Sequence, residues 1–125
     1  MKVLCTGAAG FIGKHVVNAL REAGHDVVTM DFIGDVDINA DITQPLKPIA
    51  NLEAVIHLAA VSHPRDCDAN PGKAFTINDY GTSNVLKMAL ESGAKKVVFA
   101  SSAHVYDIPP KYLPTDEVHP LRLNN

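Results

Sequence analysis

The chain lacks the features that would commit it to nucleic acid, to a disulfide framework or to a membrane. Its 125 residues carry 11 Lys and Arg against 14 Asp and Glu, a formal net charge of -3. Nucleic-acid binders usually present a basic face, so that class of partner is set aside. Cysteine is scarce: Cys5 and Cys67 are the only two. Neither falls in a paired or metal-like spacing, so both are expected as free thiols in a reducing, cytoplasmic compartment. No apolar run approaches the ~18 residues that a membrane span needs. Lys2 and the apolar residues after it imitate the start of a secretion signal, but no small-residue cleavage site follows and none is expected to be used. Internal repeats and low-complexity tracts are missing too.

What is present is an alternation of two periodicities. Residues 2–6 read as a short buried strand. From Phe11 to Ala23, one face carries Ile12, Val16, Ala19, Leu20 and Ala23, and the other carries Lys14, Asn18, Arg21 and Glu22. That is an amphipathic helix, and Gly24 is its stop. The pattern then predicts strands over 26–31 and 38–42 and one or two helical turns between the prolines of 45–52. A strand follows over 54–60, then a polar loop over 61–72. A long helix is predicted over 73–92 with Ile77, Gly81, Val85, Leu86, Ala89 and Leu90 on its apolar stripe, followed by a strand over 95–102. Beyond that, Pro109, Pro110, Pro114 and Pro120 exclude regular helix. Strands alternating with helices imply a parallel sheet with right-handed crossovers. The near-continuous apolar character of VVTM, AVIHLAA and KVVFA fits strands covered on both faces. The fold class is therefore α/β, an open, doubly wound parallel sheet in one domain spanning 1–125.

The stretch VLCTGAAGFIGKHV, residues 3–16, places Gly7, Gly10 and Gly13 between a strand and a helix. Helix N-terminal N–H groups and the helix dipole favour an anion, and a pyrophosphate reaches them only where no Cβ intervenes. In that reading Gly7 makes the turn, Gly10 admits the phosphates and Gly13 allows close helix packing. A tight turn with helix packing alone would also use three glycines. The context favours the first: an acidic residue, Asp31, ends the second strand about 20 residues on. Its carboxylate would accept hydrogen bonds from ribose hydroxyls and repel a 2′-phosphate. The residues after it, Phe32, Ile33, Gly34 and Asp35, supply no cation, so NAD is expected over NADP. The alternative for Asp31 is a solvated strand end.

The glycine spacing is G-x-x-G-x-x-G, in the form TGAAGFIG. With ADI at 40–42, HLAA at 57–60, NDYGTSNVL at 78–86, VVFASSAHVY at 97–106 and PTDEVHPL at 114–121, the chain resembles the NAD-dependent epimerase/dehydratase family of extended short-chain dehydrogenases/reductases. The resemblance implies a Rossmann-type sheet and a set of site residues. Phe11 and Ile12 would give backbone contacts to the pyrophosphate. Asp41 and Ile42 would meet the adenine. Leu58, Ala59 and Ala60 would line the dinucleotide where the fourth strand ends, and Asn78 would steady that loop and the cofactor. Ser102 matches the active-site Ser/Thr that hydrogen-bonds the substrate hydroxyl; as a bare residue it also reads as a strand-end turn. Asp107 stands where the family has glycine.

One family feature has no counterpart. The Tyr-x-x-x-Lys pair moves the substrate proton, its lysine lowering a phenol pKa that is otherwise near 10. Four residues beyond Tyr80, Tyr106 and Tyr112 lie Asn84, Pro110 and Asp116. In the family the segment resembling DEVHPLRLNN leads directly into that tyrosine. The resemblance therefore implies the cofactor-binding portion of a nucleotide-sugar epimerase or dehydratase, expected to be inactive by itself. A one-way NAD-dependent sugar or uronate dehydrogenase, or a non-catalytic dinucleotide-binding or sensing module, remain open. No metal site is expected: His57 and His63 flank the fourth strand's end without a third ligand. Arg65 could meet a phosphate or sugar carboxylate, or simply be solvated. Cys67 has no base to activate it. A homodimer through the long helix, or self-association through the fifth strand's unpaired edge, is expected.

Overall fold

The computed structural model describes residues 1–106 and 109–121. Its strands are β1 (Lys2–Thr6), β2 (Asp26–Asp31), β3 (Ile38–Asn39), β4 (Ala54–His57) and β5 (Lys96–Phe99). They form one sheet in the order β3-β2-β1-β4-β5. Every pairing is parallel, with Val3 opposite both Val27 and Ala54, and Val55 opposite Val97. Two of the crossovers are helical: α1 (Phe11–Glu22) joins β1 to β2, and α2 (Pro64–Ala69), α3 (Pro71–Phe75) and α4 (Thr82–Glu91) lie between β4 and β5, while β2 reaches β3 and β3 reaches β4 through non-helical segments. A π-helical segment, Thr76–Gly81, welds α3 to α4. The expected doubly wound sheet is what the chain forms.

The sheet separates two cores. On one face Leu4, Met30, Val55, Val85, Met88 and Ala89 pack with Ile42 and Leu52. On the other Cys5, Ala8, Val17 and Val27 cluster, with Val16 and Leu20 half-buried against them. Alternate residues of β1 thus serve opposite faces, as the pleat requires. The helical stripes are narrower than the predicted ones, although Gly81, Val85 and Ala89 are buried as expected. In α1 the buried side is Gly13 and Val17, while Ile12, Ala19 and Ala23 face water. In α4 Met88 is buried, and Leu86 and Leu90 are exposed. The sequence stripe was drawn wider than the strip the sheet can cover.

Element boundaries shift where side chains capture the main chain. The strand predicted to reach residue 42 stops at Asn39, because Asp41 turns the chain: its Oδ1 accepts from Thr43 N at 2.8 Å. Residues 45–52 form no helical turns. They run as a strap held by α4, with Ser92 Oγ accepting from Ile49 N at 2.9 Å and Asn84 Nδ2 donating to Ile42 O at 2.9 Å. The polar segment 61–72 is not all loop. It contains α2, begun by Pro64 at its first position and by His63, whose Nδ1 accepts from Arg65 N at 3.3 Å. Proline pre-sets the dihedral of a first helical residue, so Pro64 starts a helix inside the segment expected as loop. β5 is the largest departure. All four of its residues are exposed, so it is not covered on both faces. No described element packs beyond it.

Candidate functional site

In an open α/β sheet, ligands bind beyond the carboxyl ends of the strands where the strand order reverses. Here that point lies between β1 and β4. The β1 exit carries the glycine turn. Gly7 has φ +70°, and a Cβ on it would lie 2.7 Å from Ala59 N, on the segment leaving β4. A Cβ on Gly13 would lie 2.0 Å from Gly7 O and 2.8 Å from Ala8 Cα. Gly13 therefore brings the helix against the loop rather than against the sheet. Gly10 differs: a Cβ there would meet only Gly7 O, at 3.1 Å, and otherwise open space. That space is a cradle which any side chain would occupy. α1 starts at Phe11 without a side-chain cap, so its first-turn N–H groups remain for a ligand. The side chains of Phe11 and Ile12 are exposed, which leaves their main chain as the part at the turn.

Asp31, at the end of β2, is bonded to this loop. Its Oδ2 accepts from Ala9 N at 3.0 Å and its Oδ1 from Phe32 N at 2.8 Å. The carboxylate thus fixes the glycine turn from across the crevice. Burial, with the Asp31 charge adding, pushes the Cys5 thiol up to about 11, so Cys5 beneath the loop is a packed, unreactive group. Asp41 is exposed, whereas Ile42 is buried and its side chain wedges against Gly81. Of that pair, Asp41 has the side chain at the surface, and Ile42 backs the wall from inside.

The opposite wall is the segment Leu58-Ala59-Ala60-Val61. A hydrogen-bond chain that the sequence reading did not anticipate holds it. Thr6 Oγ1, on β1, lies 2.6 Å from His57 Nδ1 and accepts from Leu58 N at 3.2 Å and Ala59 N at 3.3 Å. His57 Nε2 lies 3.0 Å from Thr82 Oγ1, and that hydroxyl donates to Asn78 O at 2.6 Å. Asn78 then clamps the wall's far end: its Oδ1 accepts from Val61 N at 2.8 Å and its Nδ2 donates to Val61 O at 2.9 Å. The π-helical widening spans Asn78; such segments recur at functional sites. A sequence signal did exist for Thr6 and His57, polar residues set in apolar runs, but not for Thr82, which lies between Gly81 and Ser83. Burial lowers the His57 pKa.

Ser102 lies at the exit of β5, exposed, with its carbonyl accepting from Val105 N at 3.2 Å ahead of a 3-10 turn, Ala103–Val105. Asp107 lies outside the described residues. Residues 109–121 fold around His119, whose ring is buried against Tyr106 and Tyr112. Arg65 sits in the first turn of α2, and His63 caps that helix from the residue before it. Cys67 is free and half-buried, its Sγ 3.4 Å from Val61 O. Among the described residues no group of His, Cys, Asp and Glu could hold a metal ion. No helix among them is long and apolar enough to cross a membrane.

A glycine-lined turn at the reversal point of a parallel sheet, with a carboxylate across from it, defines a Rossmann-type dinucleotide-binding domain. Residues 3–125 match the NAD dependent epimerase/dehydratase family, and the chain belongs to that family. It is 32% identical to UDP-glucose 4-epimerase of Mus musculus, over 95% of this chain and 42% of that protein. It is 33% identical to UDP-glucuronic acid decarboxylase 1 of Danio rerio, over 95% of this chain and 30% of that protein. Among solved structures it resembles UDP-glucose-4-epimerase of Stenotrophomonas maltophila with bound NAD and formylated UDP-arabinopyranose. That match has TM-score 0.85 and 28% identity over 98% of this chain and 43% of the other. The chain thus spans less than half the length of these relatives.

Proposed function

We infer that this chain is the NAD-binding portion of a nucleotide-sugar epimerase or dehydratase. The single observation that carries the reading is the Gly10 cradle facing a glycine turn that Asp31 ties down. The diphosphate rests on the first-turn N–H groups of α1, with Phe11, Ile12 and Gly13 offering main chain only. The free lone pairs of Asp31 take the adenosine ribose hydroxyls, and the same charge disfavours a 2′-phosphate. Asp41 receives the adenine amino group, with Ile42 behind it. Leu58, Ala59 and Ala60 form the inner wall, and Asn78 sets its far end. When bound, NAD supplies the hydride acceptor at a sugar carbon. Ser102 would hydrogen-bond the hydroxyl being oxidised.

Turnover is assigned to a longer assembly rather than to residues 1–125. The chain contains no tyrosine followed four residues later by lysine, and without that pair no group near neutral pH takes the substrate proton. The same observation favours a second reading, a dinucleotide-binding or sensing module without catalysis. A one-way sugar or uronate dehydrogenase would use the same half-site. A reducing cytoplasmic setting suits the two free thiols.

Calorimetric titration of the wild-type chain and of Asp31→Ala with NAD and with NADP tests the reading. NAD should bind more tightly than NADP. Asp31→Ala should lose about tenfold or more of the NAD affinity, as expected when a charged hydrogen-bonding partner is removed. Equal affinity for both cofactors, unchanged by the substitution, would take Asp31 out of its role.

A further inference from the structure

We propose that His57 is a positioning residue: in its neutral form, with the proton on Nε2, it fixes the 58–61 wall of the crevice, and protonation releases that wall and weakens dinucleotide binding. The inference rests on the functional reading above but concerns a group that contacts no ligand in that reading.

The hydrogen-bond directions follow from donor arithmetic. A carbonyl only accepts, so the one proton of Thr82 Oγ1 goes to Asn78 O at 2.6 Å. Towards His57, Thr82 Oγ1 must therefore accept, and His57 Nε2 must carry a proton. In the neutral ring Nδ1 is then bare and accepts the proton of Thr6 Oγ1 at 2.6 Å. That leaves the two lone pairs of Thr6 Oγ1 for Leu58 N and Ala59 N. Every donor has an acceptor, and the whole set lies under the 58–61 segment. A second proton on the ring would add a donor at Nδ1. Thr6 Oγ1 would have to give up one of the two main-chain N–H groups, and its own proton would lose its acceptor; Leu58 N also donates to Thr6 O at 3.2 Å and keeps that bond, so the loss falls on Ala59 N. The groups facing the ring are Thr6 on β1, Thr82 on α4 and the Phe99 ring of β5, 5.8 Å away between centroids. None is charged, so nothing compensates an imidazolium there, and burial adds to its cost. Asp31 at the end of β2, Asp41 after β3 and His63 at the cap of α2 are further titratable groups around the crevice.

Two measurements decide the matter, one without ligand. At pH 8, nitrogen-detected NMR should find His57 protonated at Nε2 alone. Amide protection factors of Ala59 and Val61 should fall in Thr82→Val and recover in Thr82→Ser. Unchanged protection in Thr82→Val, or a proton on Nδ1 alone, overturns the network. In the second, NAD affinity is titrated between pH 8 and pH 5.5 by calorimetry. Wild type should weaken on acidification, by less than about tenfold at pH 5.5 because burial holds the His57 pKa below its ordinary value and only part of the chain is protonated there. His57→Gln should bind more weakly at pH 8 and lose most of that pH dependence, while His63→Gln keeps the wild-type profile. Thr82→Val should weaken NAD binding, and Thr82→Ser should restore it. A merely structural role would lower the melting temperature of these variants yet leave affinity and pH profile as in wild type, and that result overturns the proposal. A wild-type chain that fails to bind NAD at pH 8 instead overturns the functional reading, and the ligand-free measurement still decides the network.

Discussion

β1 and β5 are written in much the same letters, Val-Leu-Cys-Thr after a lysine in one and Val-Val-Phe after a lysine in the other. Yet β1 is buried from Val3 to Thr6, and β5 is exposed throughout. The difference is position: β1 has β2 and β4 beside it, whereas β5 has only β4. An apolar run states what covering a strand needs, not whether the chain at hand supplies it. The site lies where supply and demand agree, at the exits of β1 and β4. Ser102 lies where they do not.

The sharpest test of that contrast compares like substitutions in the two strands. Leu4 is fully buried between β2 and β4, and Leu4→Ala should cost about 2–5 kcal/mol, or prevent folding outright. Val98 is half exposed, and Val98→Ala should cost about 0.5 kcal/mol or less. Urea unfolding monitored by circular dichroism measures both. Similar losses would mean that β5 is covered in solution by something the isolated chain finds, and the contrast would fail.

This contrast also shows what the sequence made legible. Fold class, the parallel pairing of the strands and the Gly7–Gly13 turn could be read because each rests on local chemistry: periodicity, or a glycine where a Cβ has no room. The Asp31 position could be read as well, but not its bond to Ala9 N, which needs the loop folded back over β2. The helical stripes are legible only in part: Gly81, Val85 and Ala89 are buried as expected, whereas Leu86 and Leu90 are exposed, and in α1 the burial falls on Gly13 and Val17. α2 is hidden in the sequence because 61–72 is polar and carries no apolar stripe, although Pro64 is suited to a first helical position. The His57 chain was invisible for a different reason. Its members, Thr6, His57, Asn78 and Thr82, are brought together only by the sheet register and the crossover helix.

A second test concerns what an uncovered strand does. Val97, Val98 and Phe99 are exposed together with an edge of unpaired main chain, a ready template for another strand. Leu86 and Leu90 of α4 are exposed as well. The chain should self-associate in sedimentation velocity as concentration rises. Val98→Lys should shift it towards monomer, since an edge lysine blocks strand pairing, with little change in unfolding midpoint. A wild-type chain that stays monomeric at high concentration would show that exposure at β5 is tolerated without a partner.

The smallest expected effect comes from the opposite edge, and there the chain does supply its own cover. β3 pairs with β2 through Met30–Ile38 and Asp31–Asn39 only. The N–H of Thr29, one residue earlier on β2, has no strand partner on that side. Asp37 takes it: Oδ2 accepts from Thr29 N at 2.8 Å and from Thr29 Oγ1 at 2.7 Å, while Asp37 N donates to Thr29 Oγ1 at 2.9 Å. A carboxylate thus extends the ladder where a residue of strand is missing. The Thr29 hydroxyl and N–H lower the Asp37 pKa from its ordinary value. A carboxyl depressed in the folded state adds stability above its unfolded pKa, near 4, and loses it as pH falls through the folded value. Asp37→Asn should therefore be slightly less stable than wild type at pH 7, and the gap should close as both are titrated towards pH 3. The effect is small because Asp37 is exposed and water screens it. Thermal unfolding in parallel across that range reads it. A gap that persists undiminished at pH 3 would show that the contribution comes from side-chain shape rather than from charge.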